Sequence, residues 1–171
     1  MVELNETTGL LKENPTDKTW DITDDRFIEI ANYGGQLDEN NIEAAYIYNH
    51  PSNPYYYLFV NWDKCCNGIN STYNIRVGRS DQPTGPFVDK NGVNLKAGGG
   101  TLFLDATGDI IGNSRFVGPG HSGIYRHSDG KYYFTHHFYD ANNNGEPSFA
   151  IWNLSWIDEW PVLNTQEKVM L

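Results

Sequence analysis

Apolar and polar positions along this chain fall into short runs, some alternating and some continuously apolar, separated by turn formers. No stretch keeps a 3.6-residue amphipathic period over the length of a helix, so the pattern predicts an all-β fold. Strands are expected at Ser71 to Gly78, Thr101 to Leu104, Gly123 to Arg126, Tyr132 to Phe138 and Ser148 to Leu154. Turns are expected at Pro83-Thr84-Gly85-Pro86, Lys90-Asn91-Gly92, Ser128-Asp129-Gly130 and Asn143-Asn144-Gly145, whose residues tolerate positive φ or pre-set a turn. Residues 5 to 40 are polar with few periodic positions, and read as a long connection ending in Tyr33-Gly34-Gly35.

One arrangement occurs twice. Ile42-Glu43-Ala44-Ala45-Tyr46-Ile47-Tyr48 leads through a turn to Tyr55-Tyr56-Tyr57-Leu58-Phe59-Val60, and Gly120-His121-Ser122-Gly123-Ile124-Tyr125 leads through a turn to Tyr132-Tyr133-Phe134-Thr135. Each time a polar residue at a strand entrance precedes an aromatic hairpin, with His121 standing where Glu43 stood. Repeats of a few short aromatic strands point to a propeller or a sandwich. In a propeller the entrance residues of the inner strands converge on the axis, which would bring Glu43 and His121 to one pocket. At four strands per blade the chain makes about two blades, 41–105 carrying Glu43 and 106–171 carrying His121. Residues 1–40 would supply an edge strand and a long connection from a preceding blade. Two blades cannot close a ring. Their open flanks are expected to pair with a missing N-terminal half, to self-associate, or to stay held in a parent protein.

Composition narrows the chemistry. A length of 171 residues suits one domain with a sizeable core. A formal charge of -10 with only 12 Lys and Arg argues against a nucleic-acid partner, whose phosphates need cations to neutralise them. A neutral or small substrate is easier to accommodate. The 11 Tyr and 5 Trp suit sheet packing, which accounts for most of them, and also stacking on sugar rings. No run reaches the roughly 18–20 apolar residues of a membrane span, so no membrane is expected, and the compartment stays open. Cys65 and Cys66 are adjacent and cannot tie distant segments together; buried free thiols are expected, with a vicinal disulfide as the alternative. Gly98-Gly99-Gly100-Thr101 is no phosphate loop, because no Gly-Lys-Ser/Thr follows.

Several segments occur together in one order: Ile42-Glu43-Ala44-Ala45, Tyr56-Tyr57-Leu58-Phe59, Trp62-Asp63-Lys64-Cys65-Cys66-Asn67-Gly68, Ser71-Thr72-Tyr73, Val77-Gly78-Arg79-Ser80, Gly85-Pro86-Phe87, Gly98-Gly99-Gly100-Thr101 and Gly118-Pro119-Gly120-His121. From about Ile42 to Pro161 the chain resembles the arabinanases of glycoside hydrolase family 43, the Cys-Cys and Gly-Pro-Gly-His elements pointing to the endo-acting branch. The resemblance implies a five-bladed β-propeller with its active site at the axis. It also implies inverting hydrolysis of α-1,5-linked L-arabinan or arabino-oligosaccharides by three carboxylates: an aspartate base, a pKa-tuning aspartate and a glutamate acid. Glu43 matches the glutamate. No counterpart of the aspartates is found before Ile42, so the chain reads as the C-terminal half of such a domain, inactive alone, because one carboxyl cannot act as acid and base on opposite faces of the bond.

Other residues have roles implied by the same resemblance. His121 is expected to face a metal, calcium, completed largely by water because calcium prefers oxygen ligands. Cys66 and Asn70 lie in a loop expected to reach the substrate cleft, with packing and turn formation as the competing reading. Read locally, Glu43 is a solvated glutamate and His121 a backbone-bonded imidazole. His136 and His137 are consecutive on a strand, so at most one can face a site. Asp140 is expected to form a turn. An exo-acting arabinofuranosidase or xylosidase of the same fold, and a non-catalytic carbohydrate-binding or assembly module, remain open as alternatives.

Overall fold

The structure, a computed structural model, describes residues 1–12, 27–34 and 42–168, with 166–168 described by backbone alone. It is all-β. Strands β1 (Ile42–Asn49), β2 (Tyr56–Trp62), β3 (Asn74–Ser80) and β4 (Thr101–Leu104) form one antiparallel sheet in sequence order. Strands β5 (Phe116–Arg126), β6 (Tyr132–Asp140), β7 (Glu146–Ile157) and β8 (Trp160–Lys168) form a second one in the same way. Each sheet is a meander of sequential strands, so each of the two sequence units folds locally, although the first carries long connections at 63–73 and 81–100.

The apolar pattern explains how the sheets stack. The run Tyr57-Leu58-Phe59-Val60 is continuous rather than alternating, as expected of a strand covered on both faces. Tyr57 and Phe59 point with Ile75, Val77 and Phe103 into the layer between the sheets, where they meet Phe134, Phe138, Trp152 and Leu154. Phe134 is the centre of that contact, its ring 5.6 Å from Phe59 and 4.9 Å from Phe103. Leu58, Val60 and Trp62 point the other way, against Phe87 and Leu95, under Ile30, Ala31 and Tyr33. Each such fully buried ring or branched side chain contributes about 1.5–3 kcal/mol through area removed from water. From Tyr133 to Phe138 of β6 the burial alternates: Phe134, His136 and Phe138 are buried, whereas Tyr133, Thr135 and His137 are only half-buried.

Several expectations are revised. Thr101–Leu104 is reproduced, but β3 starts at Asn74 rather than Ser71, and β5 reaches back to Phe116. β8 was not expected at all. It follows a two-residue turn at Asp158 and Glu159, whose φ values of 50° and 61° would ordinarily be marked by Gly or Asn. The start of the chain stands apart from both sheets, where a preceding blade's edge was expected: Leu4 bridges Leu11, and Met1 and Ile28 exchange backbone hydrogen bonds. Most of the expected long connection, at 13–26 and 35–41, lies outside the described residues. Among those described, no helix is long and apolar enough to cross a membrane.

Candidate functional site

Glu43 lies opposite Asn61 in the β1–β2 ladder, immediately before a bulge that spans Glu43 to Tyr46. Ala44 takes the left-handed φ of 51° inside that bulge, which re-aims the strand entrance and leaves the Glu43 side chain exposed. β5 is irregular in the same way. Its register shifts between Gly120 and Gly123, and His121 sits there exposed, with φ of 55°.

Asn61 joins the two entrances. It is fully buried; its amide donates to the carbonyls of Asn74 and Pro119, each at 3.0 Å, and its Oδ1 accepts the His121 N–H at 3.2 Å. The first two bonds hold β3 and the start of β5. The third fixes the backbone that carries His121, on the residue directly across from Glu43.

Under these entrances lies an aromatic and imidazole layer. Tyr73 is fully buried, and its ring stacks on His137 with centroids 6.2 Å apart. His137 in turn lies 5.1 Å from the His121 ring. Gly120 is required here: a Cβ would come within 2.2 Å of the Tyr73 ring and 2.7 Å of His137. Burial first, then the charge of Glu43, pushes the Tyr73 phenol well above its usual pKa. The buried Tyr73 hydroxyl feels that carboxylate, yet no hydrogen bond of ordinary geometry partners it, and the buried Ser122 hydroxyl likewise lacks a partner. Burial and the neighbouring His121 hold His137 below the ordinary imidazole value.

The structure therefore brings Glu43 and His121 to one end of the paired sheets, with Asn61, Tyr73 and His137 as their support. Of the two consecutive histidines, His137 faces this end. His136 is buried, accepts the Trp152 indole N–H at 2.9 Å and bonds the His137 carbonyl at 2.8 Å. Cys66 and Asn70 belong to the β2–β3 loop at the same end, both exposed. Their backbone partners are elsewhere: Cys66 donates to the Tyr139 hydroxyl at 2.8 Å and Asn70 to the Asn67 carbonyl at 3.0 Å. The expectation of buried free thiols is corrected, since Cys65 and Cys66 form a vicinal disulfide and Cys66 is exposed. Asp63 bonds Tyr33 and Asn74, both at 2.7 Å, which makes it a tie between the loop and the segment covering the first sheet. Asp140 is a turn former: it caps the turn at 141–143 and pairs with Arg115.

For a metal, the donor set is thin. Among the described residues no three His, Cys, Asp or Glu side chains gather closely enough to hold one. Calcium ordinarily takes six to eight oxygen ligands, so His121 and His137 alone do not make a calcium site, and no chemical step is assigned to the ion.

Sequence reasoning missed Asn61 and Tyr73. The available signal for Asn61 was a single polar residue interrupting the apolar run Tyr56 to Trp62.

Two meandering four-stranded sheets stacked face to face, with a carboxylate and an imidazole at equivalent bulged entrances, define a β-sheet enzyme scaffold of the repeated-blade kind. The profile of Glycosyl hydrolases family 43 matches residues 1–161, so the chain belongs to that family, and the match reaches back beyond Ile42 to the first residue. The extracellular endo-alpha-(1->5)-L-arabinanase 1 of Bacillus subtilis is 46% identical over 109 residues, covering 64% of this chain and 31% of the relative. The extracellular exo-alpha-(1->5)-L-arabinofuranosidase ArbA of Cellvibrio japonicus is 42% identical over 133 residues, covering 77% and 36%. The solved structure of Cellvibrio cellulosa alpha-L-arabinanase complexed with arabinohexaose superposes with a TM-score of 0.64 at 42% identity, covering 73% of this chain and 37% of that one. The chain thus spans about a third of the length of the relatives it matches.

Proposed function

We propose that this chain carries the general-acid side of an inverting arabinan endo-1,5-α-L-arabinosidase built on a five-bladed propeller. The observation that carries the reading is the placement of Glu43: an exposed carboxylate at a bulge, across from the buried Asn61 that secures His121. Glu43 would protonate the glycosidic oxygen as the bond to the anomeric carbon breaks. A base on the opposite face would take a proton from the attacking water, with the two carboxyls roughly 6.5–9.5 Å apart. Tyr73 and His137 form a water-poor floor beneath Glu43. The base and the tuning aspartate would come from a further N-terminal portion of the propeller, and the chain alone would be inactive. In this reading the ligand is arabinan or an arabino-oligosaccharide, with Cys66 and Asn70 contacting it from the loop. A calcium ion facing His121 would need oxygen donors that the described residues do not supply, from water or from the rest of the propeller.

Exo action is the second reading, favoured by the 42% identity to a relative named as an exo-acting arabinofuranosidase. The deciding experiment is hydrolysis of linear arabinan by the chain alone and after co-expression with an N-terminal half of family type, with Glu43→Ala as control. Activity only in the pair, lost in the variant, is expected, and product length separates endo from exo action. Turnover by the lone chain would show the carboxylates to be misassigned. Binding of arabino-oligosaccharides without turnover in the pair would favour a non-catalytic module.

A further inference from the structure

At the other end of the two sheets, about seven residues and therefore roughly 20 Å along β1 from Glu43, is an open cleft of about 740 Å³. It lies where the end of β1 meets the β5–β6 hairpin and β7, and its wall includes His50, Arg126, Lys131, Tyr132, Trp156 and Asn164. The volume falls within the range of pockets that take a small organic ligand. We propose that this cleft is a second, non-catalytic binding site for a sugar-sized ligand that bears a carboxylate.

The chemistry of the wall sets that class. His50 is nine-tenths buried, and its Nδ1 accepts the Ser52 N–H at 3.1 Å. Burial, followed by the charge of Arg126, keeps its imidazole neutral by lowering its pKa. The proton therefore sits on Nε2, and no acceptor among the described residues takes it. Arg126 is exposed and lies over the Tyr132 ring at 5.9 Å; it makes no ion pair or hydrogen bond among the described residues. Trp156 packs its ring against His50 and Tyr132, and its enclosed indole N–H reports on that packing rather than opening to the cleft. Lys131 pairs with Asp129 at 3.7 Å and contributes a second cation nearby.

No described lining side chain is a carboxylate, although the chain carries a formal charge of -10. A cleft that offers a free guanidinium beside the His50 imidazole N–H selects an acceptor-rich anion, because hydrogen bonds to charged groups are the stronger ones. The edges of His50, Tyr132 and Trp156, packed together with centroids 4.5–5.9 Å apart, give the apolar side that a sugar ring needs and a bare inorganic anion does not.

The test uses the isolated 15N-labelled chain and three probes: glucuronate, glucose and acetate. Glucuronate is expected to shift the Trp156 indole and Arg126 side-chain resonances and to bind at least about 10-fold more tightly than glucose or acetate. Arg126→Gln, at an exposed position, should remove that preference without moving the unfolding midpoint. Equal affinity for glucose, equal affinity for acetate, a preference that survives Arg126→Gln, or shifts confined to the Glu43 end would each overturn the proposal. None of these readouts depends on arabinan hydrolysis, so the site stands or falls independently of the proposed activity.

Discussion

The carboxamide of Asn61, buried in the first sheet, accepts the backbone N–H of His121 in the second at 3.2 Å. This bond crosses the sheet stack at the candidate site, and Asn61 stands directly across from Glu43. A change at Asn61 therefore alters how the two entrances sit relative to each other as well as the packing beneath them.

Asn61→Ala removes three hydrogen bonds, taking a partner from the Asn74 and Pro119 carbonyls in the buried layer and from the His121 N–H at its edge. Buried unsatisfied groups cost about 1–3 kcal/mol each, and partial relaxation recovers some of it, so a loss of about 3 kcal/mol is expected in denaturant unfolding. A loss below about 0.5 kcal/mol, the range of an ordinary surface substitution, would show that the tie carries no weight.

His136 makes stability depend on pH. Burial lowers its pKa to about 4, from an ordinary value of 6.5. The unfolded chain therefore binds the proton at a higher pH than the folded one. The contribution is complete above about pH 6.5 and is lost as pH falls towards 4, where it amounts to at most about 3 kcal/mol. Unfolding midpoints measured at pH 7 and pH 4.5 should differ, and His136→Gln should shrink the difference. An unchanged difference in the variant would remove His136 as the cause.

His121 yields a metal test that needs no activity. If the imidazole helps to hold a water-completed calcium ion, the dialysed chain should retain calcium by elemental analysis, and His121→Ala should retain less. Equal content in the two proteins would end the assignment.

The legible parts of this fold were those with local signals. Short apolar runs bounded by Gly, Asn and Asp marked most strands, and the repeated entrance pattern marked Glu43 and His121 together. β8 was invisible because its turn uses Asp158 and Glu159 at positive φ, a conformation their residue types do not advertise. Asn61 owes its place to hydrogen bonds with residues 13 to 60 positions away, and Tyr73 to its stacking on the distant His137, which no local pattern encodes. The vicinal disulfide has no signature in a bare Cys-Cys pair, which free thiols fit equally; what decides it is the β2–β3 loop, which leaves Cys66 exposed and at a φ of 66°.

The repeat also predicts how the isolated chain behaves in solution. Tyr133 in β6 occupies the place of Tyr57 in β2, whose face is buried between the sheets. Among the described residues the Tyr133 face has no such cover: Tyr125 stacks on Tyr133 and is 58% exposed, and Phe149 on the same face is 59% exposed. Large exposed rings on one flat sheet face favour association, so a second copy is expected to cover them. Sedimentation should show concentration-dependent association, and the pair Tyr125→Lys and Phe149→Lys should weaken it about 10-fold or more, aromatic anchors being the usual hot spots of an interface. Both positions are exposed, so the unfolding midpoint of the double variant should barely move. A chain that sediments as a monomer at every concentration would mean that this face is tolerated in water without a partner.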